Sequence, residues 1–380
     1  MFYNFFKKIT ESLLLLLIII FASCNNGSSS NTLSAADSSK NSVTAEKEQP
    51  VTLKPKGAKP EWGPGITPEM QVVIEKLMSY NDPALVTLSA ADARKQHSPA
   101  DAVMDVIKEN NIHVPPSNLD TMGKNIPVTG GNIHLRIYSP RGDGLFPVIV
   151  YYHGGGWVIA NLDTYDASAR ALAEQTGAVL VSVEYRQAPE NKFPTAHNDS
   201  YAAYEWVVKN AASIKGDAKK IAIAGESAGG NLATAVCMMA RNKGLTMPVH
   251  QLLVYPIAGY DTTTAAYQKN AMAKPLDRPL MSWFFNKYLR SAADGKSPMI
   301  DLVNANLKNL PATTIITAQY DPLQTDGEML SDKLKAAGVA VAFKNYDGVT
   351  HEFFGMSAVV PQAKDAQVFG ATALKNAFNK

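Results

Sequence analysis

The chain has 380 residues, of which 46% are hydrophobic and 18% charged, and its formal net charge is +2. That is enough apolar material for one large or two ordinary globular domains with a substantial core. A charge so near zero gives no reason to expect a nucleic-acid or other polyanion partner, and two cysteines, Cys24 and Cys237, exclude a disulfide scaffold.

Residues 1–24 have the make-up of an export signal. Lys7 and Lys8 precede a short apolar run, Leu13 to Phe21, and the small residues Ala22 and Ser23 lead into Cys24. The run is short for a membrane span. Phe21-Ala22-Ser23-Cys24 resembles a bacterial lipobox, whose cysteine is lipidated and becomes the mature N-terminus, although Phe21 stands where leucine is usual. The expectation is a lipoprotein of the cell envelope, attached to a membrane through a lipidated Cys24. Ordinary signal cleavage, giving a periplasmic or secreted protein, is the alternative. Residues 25–60 are rich in Ser, Asn, Thr, Lys and Pro. They carry too little apolar surface to offset the entropy of ordering and read as a flexible tether.

Order is expected from Trp62 onward. Thr67-Pro68-Glu69 opens a helix with a capping residue, a first-turn proline and an acid at the positive end. Met70, Val73, Ile74, Leu77 and Met78 continue it at helical spacing. Ser98-Pro99-Ala100-Asp101 opens a second helix, with Val103, Val106 and Ile107 behind it. Residues 61–125 are read as an N-terminal helical cap, and His97 and His113 as surface or packing histidines within it. The main domain is expected over 126–380.

That domain begins with a hairpin: Ile126-Pro127-Val128, a turn at Thr129-Gly130-Gly131-Asn132, then Ile133, Leu135 and Ile137 in alternation, with His134 on the opposite face. From Pro147 onward, apolar strands alternate with helices. The strand candidates are Val148–Tyr152, Val179–Glu184, Ile221–Ala224, Gln251–Tyr255, Thr313–Thr317 and Val341–Tyr346; the helices between them include Thr164–Gln175 and Ser200–Asn210. The alternation predicts an α/β fold, a mostly parallel central sheet flanked by helices on both faces.

The first chemical motif, Tyr151-Tyr152-His153-Gly154-Gly155-Gly156-Trp157, closes a strand. Three successive glycines are costly in backbone entropy. They make sense if backbone N–H groups must face a ligand, so Gly154 and Gly155 are oxyanion-hole candidates, with His153 orienting the loop. The second motif, Gly225-Glu226-Ser227-Ala228-Gly229, joins a strand to a helix carrying Leu232, Val236 and Met239 and capped at Gly244. A serine hydroxyl is a weak nucleophile until a base takes its proton. A tight elbow exposes that hydroxyl at the end of the sheet, and Gly225 and Gly229 permit the close backbone approach. The Ala228 N–H, at a helix N-terminus, joins the oxyanion candidates. Cys237, in the same helix, reads as a small buried hydrophobe.

An acid and a histidine remain to be found. Asp321, in Gln319-Tyr320-Asp321-Pro322-Leu323, follows the strand Thr313–Thr317; a helix over Gly327–Ala337 comes next, then the last strand, and His351 lies beyond it in Gly348-Val349-Thr350-His351-Glu352-Phe353. Both therefore stand at carboxyl ends of strands, where open α/β sheets place their sites. The order Ser227, Asp321, His351 is that of α/β-hydrolases. His197 and His250 compete with His351 as base, and Asp326 and Asp347 compete with Asp321 as acid.

Taken together, these stretches resemble the hormone-sensitive-lipase-like branch of the bacterial α/β-hydrolase carboxylesterases, marked by HGGG and GDSAGG, over about residues 62–380. The resemblance is carried by Tyr152–Trp157, by Val183-Glu184-Tyr185-Arg186 with Ala188-Pro189-Glu190 and Phe193-Pro194, by Gly225–Gly230 with Asn231-Leu232, and by Tyr320–Leu323. It implies an α/β-hydrolase fold whose N-terminal helices cap an acyl pocket. It also implies hydrolysis of short- to medium-chain carboxylic esters through an acyl-enzyme on Ser227, without cofactor or metal. The expected partners are a small-molecule ester and, as an assembly, a second copy in a homodimer. Three departures stand out: Glu226 for aspartate, Ala160-Asn161 for Gly-Asp, and Glu352 for glycine after the histidine. The alternatives are a non-catalytic binding protein on the same fold, or a deacetylase, amidase or lipase using the same triad.

Overall fold

Apolar residues at every second position give the central strands two buried faces. In the strand Phe146–Tyr152, Val148, Val150 and Tyr152 enter one core, and Ile149 and Tyr151 enter the other. A computed structural model describes residues 52–380. The export signal, Cys24 and residues 25–51 lie outside the described residues.

Among the described residues, eight strands build one sheet: β1 (Leu119–Val128), β2 (Gly131–Pro140), β3 (Phe146–Tyr152), β4 (Val179–Glu184), β5 (Gly216–Glu226), β6 (Gln251–Val254), β7 (Thr313–Tyr320) and β8 (Val341–Thr350). Their order is β1-β2-β4-β3-β5-β6-β7-β8. β1 and β2 form an antiparallel hairpin, and β2 pairs antiparallel with β4. All pairings from β4 through β8 are parallel. The predicted α/β architecture is thus the one observed.

The helices are α1 (Pro68–Ser79), α2 (Ala90–Ala93), α3 (Pro99–Glu109), α4 (Asp166–Thr176), α5 (Thr195–Asn210), α6 (Ala228–Lys243), α7 (Ala265–Lys269), α8 (Arg278–Tyr288), α9 (Gln324–Ala336) and α10 (Pro361–Phe378). Side chains of α5, α6, α8 and α9 share a core with Val148, Val150 and Tyr152. Those of α1, α3, α4 and α10 share the other with Ile149 and Tyr151. Helix α6 is buried along nearly its whole length, from Ala228 to Met238. It is rich in glycine and alanine, so it can pack closely on the sheet and α5.

Several element ends differ from the sequence reading, among them two boundaries and one helix cap. The hairpin begins at Leu119 rather than Ile126, so sheet replaces the last part of the segment 61–125. Residues 119–125 are mostly exposed and lack alternating apolar positions, which hid the strand. Residues 52–60, read as the end of the tether, are held against α1. Glu75 accepts the N–H groups of Lys56 (2.7 Å) and Gly57 (3.0 Å), and Leu53 is buried. At the start of α1, Thr67 supplies no side-chain cap; its N–H donates instead to the Gly348 carbonyl (2.9 Å), tying the helix to β8. Ser98 does cap α3, in a reciprocal box with Asp101.

Candidate active site

The sheet order brings the two glycine motifs together. β3 and β5 are neighbours, and Tyr152 pairs with Gly225. The loop after β3 therefore starts beside the elbow after β5. Contact is so close that a Cβ on Gly229 would lie 2.0 Å from the Tyr152 carbonyl oxygen, and one on Gly225 would lie 2.2 Å from the Gly229 oxygen. Only glycine fits either position.

Ser227 occupies the turn at φ 56°, ψ −118°, a conformation that side chains rarely adopt. Two bonds to neighbouring backbone hold it there. Its N–H donates to Val254 O (2.9 Å), and its own carbonyl accepts from Ile257 N–H (3.2 Å). Ala228 is the first residue of α6, and Gly155 and Gly156 sit at φ 91° and 59°. Among the described residues, no protein acceptor takes the N–H groups of Gly154, Gly155 or Ala228. His153 is buried, with Nδ1–H donating to the Gly154 carbonyl (2.8 Å), its ring stacked on Tyr185, and its pKa pushed down to about 4 by burial. It braces the loop as a neutral imidazole.

The same register logic assembles the other two groups. β7 and β8 are neighbours with Tyr320 opposite Thr350, so the residues that follow, Asp321 and His351, emerge side by side. His351 Nδ1 lies 2.7 Å from Asp321 Oδ2, and His351 Nε2 lies 3.0 Å from Ser227 Oγ. Asp321 is fully buried; its other oxygen, Oδ1, accepts the Leu323 N–H (2.8 Å), and its carbonyl accepts from Asn270 Nδ2 (2.9 Å). All three predicted residues therefore form one hydrogen-bonded chain. Its chemistry is that of a serine made nucleophilic by an imidazole whose tautomer a carboxylate fixes.

Burial by itself would depress the His351 pKa. The charge and hydrogen bond of Asp321 outweigh it, with Glu352 and Glu226 adding to the pull, and the net shift is upward from 6.5. A base must be unprotonated, and a raised pKa keeps the proton on to higher pH. The acid limb of kcat/KM is therefore expected above pH 6.5, with activity lost as pH falls through it. A kcat/KM profile between pH 5 and 9 checks this; a midpoint well below 6.5 would contradict the assignment.

The competing residues have other work. His197 is buried between Tyr288 and Asn231, with contacts of 2.7 and 3.0 Å, and His250 pairs with Thr314 (2.9 Å). Asp326 accepts the N–H groups of Ala258 and Gly259, and burial pushes its pKa up to about 7. Asp347 is exposed beside Asn345. A cavity of about 600 Å³ is lined by His153, Tyr185 and Arg186 among others, and no triad residue lines it.

Sequence reasoning missed the ring of tyrosines and acids around the triad. Glu226 accepts from Tyr151 and Tyr255, and burial, then the charge of Glu352, pushes its pKa up to about 7. The Tyr255 ring packs 4.5 Å from that of His351. Glu352 Oε1 accepts from Tyr165 (2.6 Å) and lies 3.8 Å from His351 Nε2. The sequence signals were the two departures at 226 and 352, which read as changes of residue type with no visible destination.

Residues 149–355 match the family model described as the alpha/beta hydrolase fold. Carboxylesterase NlhH of Mycobacterium tuberculosis is 41% identical over 254 residues, 65% of this chain and 79% of that one. Ethyl acetate hydrolase of Pseudomonas putida is 30% identical over 293 residues, 76% and 90% of the respective chains. Among solved structures, a hyperthermophilic esterase from the archaeon Pyrobaculum calidifontis superimposes with a TM-score of 0.75 at 34% identity, covering 82% of this chain and 98% of its own. Sequence, fold and site geometry agree: the chain belongs to the α/β-hydrolase family, in its hormone-sensitive-lipase-like carboxylesterase branch.

Proposed function

We propose that this protein is a serine carboxylesterase that hydrolyses short- to medium-chain carboxylic esters, with Ser227, His351 and Asp321 as the triad and Gly154, Gly155 and Ala228 as the oxyanion hole. The observation that carries the proposal is the continuous chain Ser227 Oγ–His351 Nε2, His351 Nδ1–Asp321 Oδ2, at 3.0 and 2.7 Å, beneath a strained elbow. The names of the relatives, a carboxylesterase and an ethyl acetate hydrolase, support the ester as substrate.

In this reading Ser227 Oγ attacks the ester carbonyl as its proton passes to His351 Nε2. The carbonyl electron pair moves onto oxygen, which the three N–H groups receive. Collapse of the tetrahedral intermediate breaks the bond to the alcohol oxygen, and His351 returns the proton to it. Water, deprotonated by the same nitrogen, then attacks the acyl-enzyme; the bond to Ser227 Oγ breaks, His351 returns the proton to Oγ, and the acid leaves. The helices α1 and α3 act as the cap; Met70 of α1 lies 3.7 Å from Thr350, the residue before His351.

p-Nitrophenyl esters from acetate to palmitate test the reading, together with a fluorophosphonate probe. Turnover on the shorter chains is expected, with one phosphonyl group per chain on Ser227 by peptide mass spectrometry. No turnover on any ester and no adduct at Ser227 would overturn it and bring the binding-protein alternative forward.

The same proposal places the enzyme at the cell envelope. Lys7, Lys8, the apolar run and Phe21-Ala22-Ser23-Cys24 support export and lipidation. In a bacterial expression host, metabolic labelling with an alkyne fatty acid should mark the wild-type chain, and Cys24→Ala should abolish the label. Equal labelling of both would remove the anchor from the proposal.

A further inference from the structure

Glu352 is held in a backbone conformation that costs a side-chain-bearing residue energy, directly after the base His351. It sits at φ 70°, the left-handed region that disfavours side chains. It places a carboxylate 3.8 Å from His351 Nε2, on the imidazole nitrogen that faces Ser227 rather than the one that faces Asp321. Tyr165 donates to Oε1 at 2.6 Å and fixes the arm. Tyr165 itself is braced by the oxyanion loop, since a Cβ on Gly154 would lie 2.1 Å from its hydroxyl. Among the described residues, no protein group donates to Oε2, and the side chain keeps 20% of its surface exposed whereas His351 keeps 4%. Oε1 is thus anchored by Tyr165 and is the oxygen 3.8 Å from the reacting nitrogen, while Oε2 of the same carboxylate keeps its accepting capacity.

Proton delivery fixes what that carboxylate meets. His351 Nε2 must hand its proton to the leaving alcohol oxygen, so the alcohol portion of an ester lies on the Nε2 side of the site. A carboxylate within 4 Å of the same nitrogen borders that portion. We infer that Glu352 reads the alcohol half of the substrate, favouring esters whose alcohol carries a hydrogen-bond donor close to the ester oxygen and rejecting those that carry a negative charge there. The inference rests on the esterase reading above. The physical basis is a donor accepted by the carboxylate against charge repulsion inside a poorly solvated cleft.

Two isosteric acetates separate these cases. 2-Acetoxyacetamide places an amide donor beside the ester, and acetoxyacetate places a carboxylate in the same position. In the full-length wild-type enzyme, kcat/KM for the amide should exceed that for the anion by at least about tenfold. In Glu352→Gln, which keeps the shape and removes the charge, the ratio should fall to within about threefold, chiefly through KM. Glu352→Asp should restore a ratio nearer the wild type. A wild-type ratio near one overturns the inference without any variant, so a Glu352→Gln protein that fails to fold does not shelter it. A large ratio that persists in Glu352→Gln overturns it too, and assigns the discrimination to other charges such as Asp321 or Glu226. If wild type turns over p-nitrophenyl acetate but shows either result, only this inference falls; if it turns over neither that ester nor the acetamide, the esterase reading falls with it.

Discussion

Replacing Ser227 with alanine is expected to lower kcat by about 10⁶-fold while the protein stays folded. The first half follows from chemistry: among the described residues no other hydroxyl is bonded to His351 Nε2, so no other nucleophile there inherits the base. The second follows from what holds the elbow. The turn is fixed by backbone bonds to Val254 and Ile257 and by the glycines at 225 and 229, none of which needs the Ser227 hydroxyl. Alanine also meets the same strained φ as serine, so no new backbone cost arises. Removing Oγ costs one hydrogen bond to His351, about 1 kcal/mol. Turnover of p-nitrophenyl acetate and a thermal melt of the same sample check both halves. A variant that melts normally yet retains more than about a hundredth of wild-type kcat would mean that the nucleophile is elsewhere.

Asp321→Asn should cost about 10⁴-fold in kcat, and the structure says why a change of one atom matters so much. Asp321 Oδ1 is committed to the Leu323 N–H, which only an oxygen can accept. An asparagine must therefore keep its oxygen there and turn its NH₂ toward His351. Nδ1 then has to accept rather than donate, and the imidazole proton moves to Nε2, facing Ser227. A protonated Nε2 cannot take the serine proton. The loss is expected in kcat more than in KM, because neither Asp321 nor the tautomer touches bound substrate. A variant within tenfold of wild type would show that the imidazole is oriented by something other than Asp321. Asp326 would not be that group, since its carboxylate is occupied by the Ala258 and Gly259 amides.

These effects fall on residues that were legible before any coordinates. Ser227, Gly154, Gly155, Asp321 and His351 could be named because chemistry restricts the residue type and sheet topology restricts the place, the carboxyl end of a strand. Strand cores were legible for a similar reason, since buried parallel strands read as apolar runs; Val179–Glu184 was found with both ends correct. What was hidden depends on contacts between distant segments. Residues 119–125 form a strand because β2 pairs with them, not because their own side chains ask for it. Thr67 stands at the predicted N-cap but its side chain makes no capping bond, and its N–H reaches the Gly348 carbonyl, a contact no local pattern shows. Ala160 and Glu352 stand where related proteins usually have glycine, and both lie at left-handed φ, 66° and 70°. The backbone at both positions takes the conformation that suits glycine, and sequence alone shows only the residue type.

Helix α6 has a consequence for how this enzyme can fail. Its first residue carries an oxyanion amide, the residue before it carries the nucleophile, and the helix is buried nearly throughout, against the sheet on one side and α5 on the other. Amides in such a segment exchange with solvent only when the whole domain opens, whereas edges such as the exposed end of β1 can open alone. The serine therefore has no private route to disorder. On heating, loss of the nucleophile's position and loss of the native fold become a single cooperative event, and inactivation should track global unfolding rather than precede it.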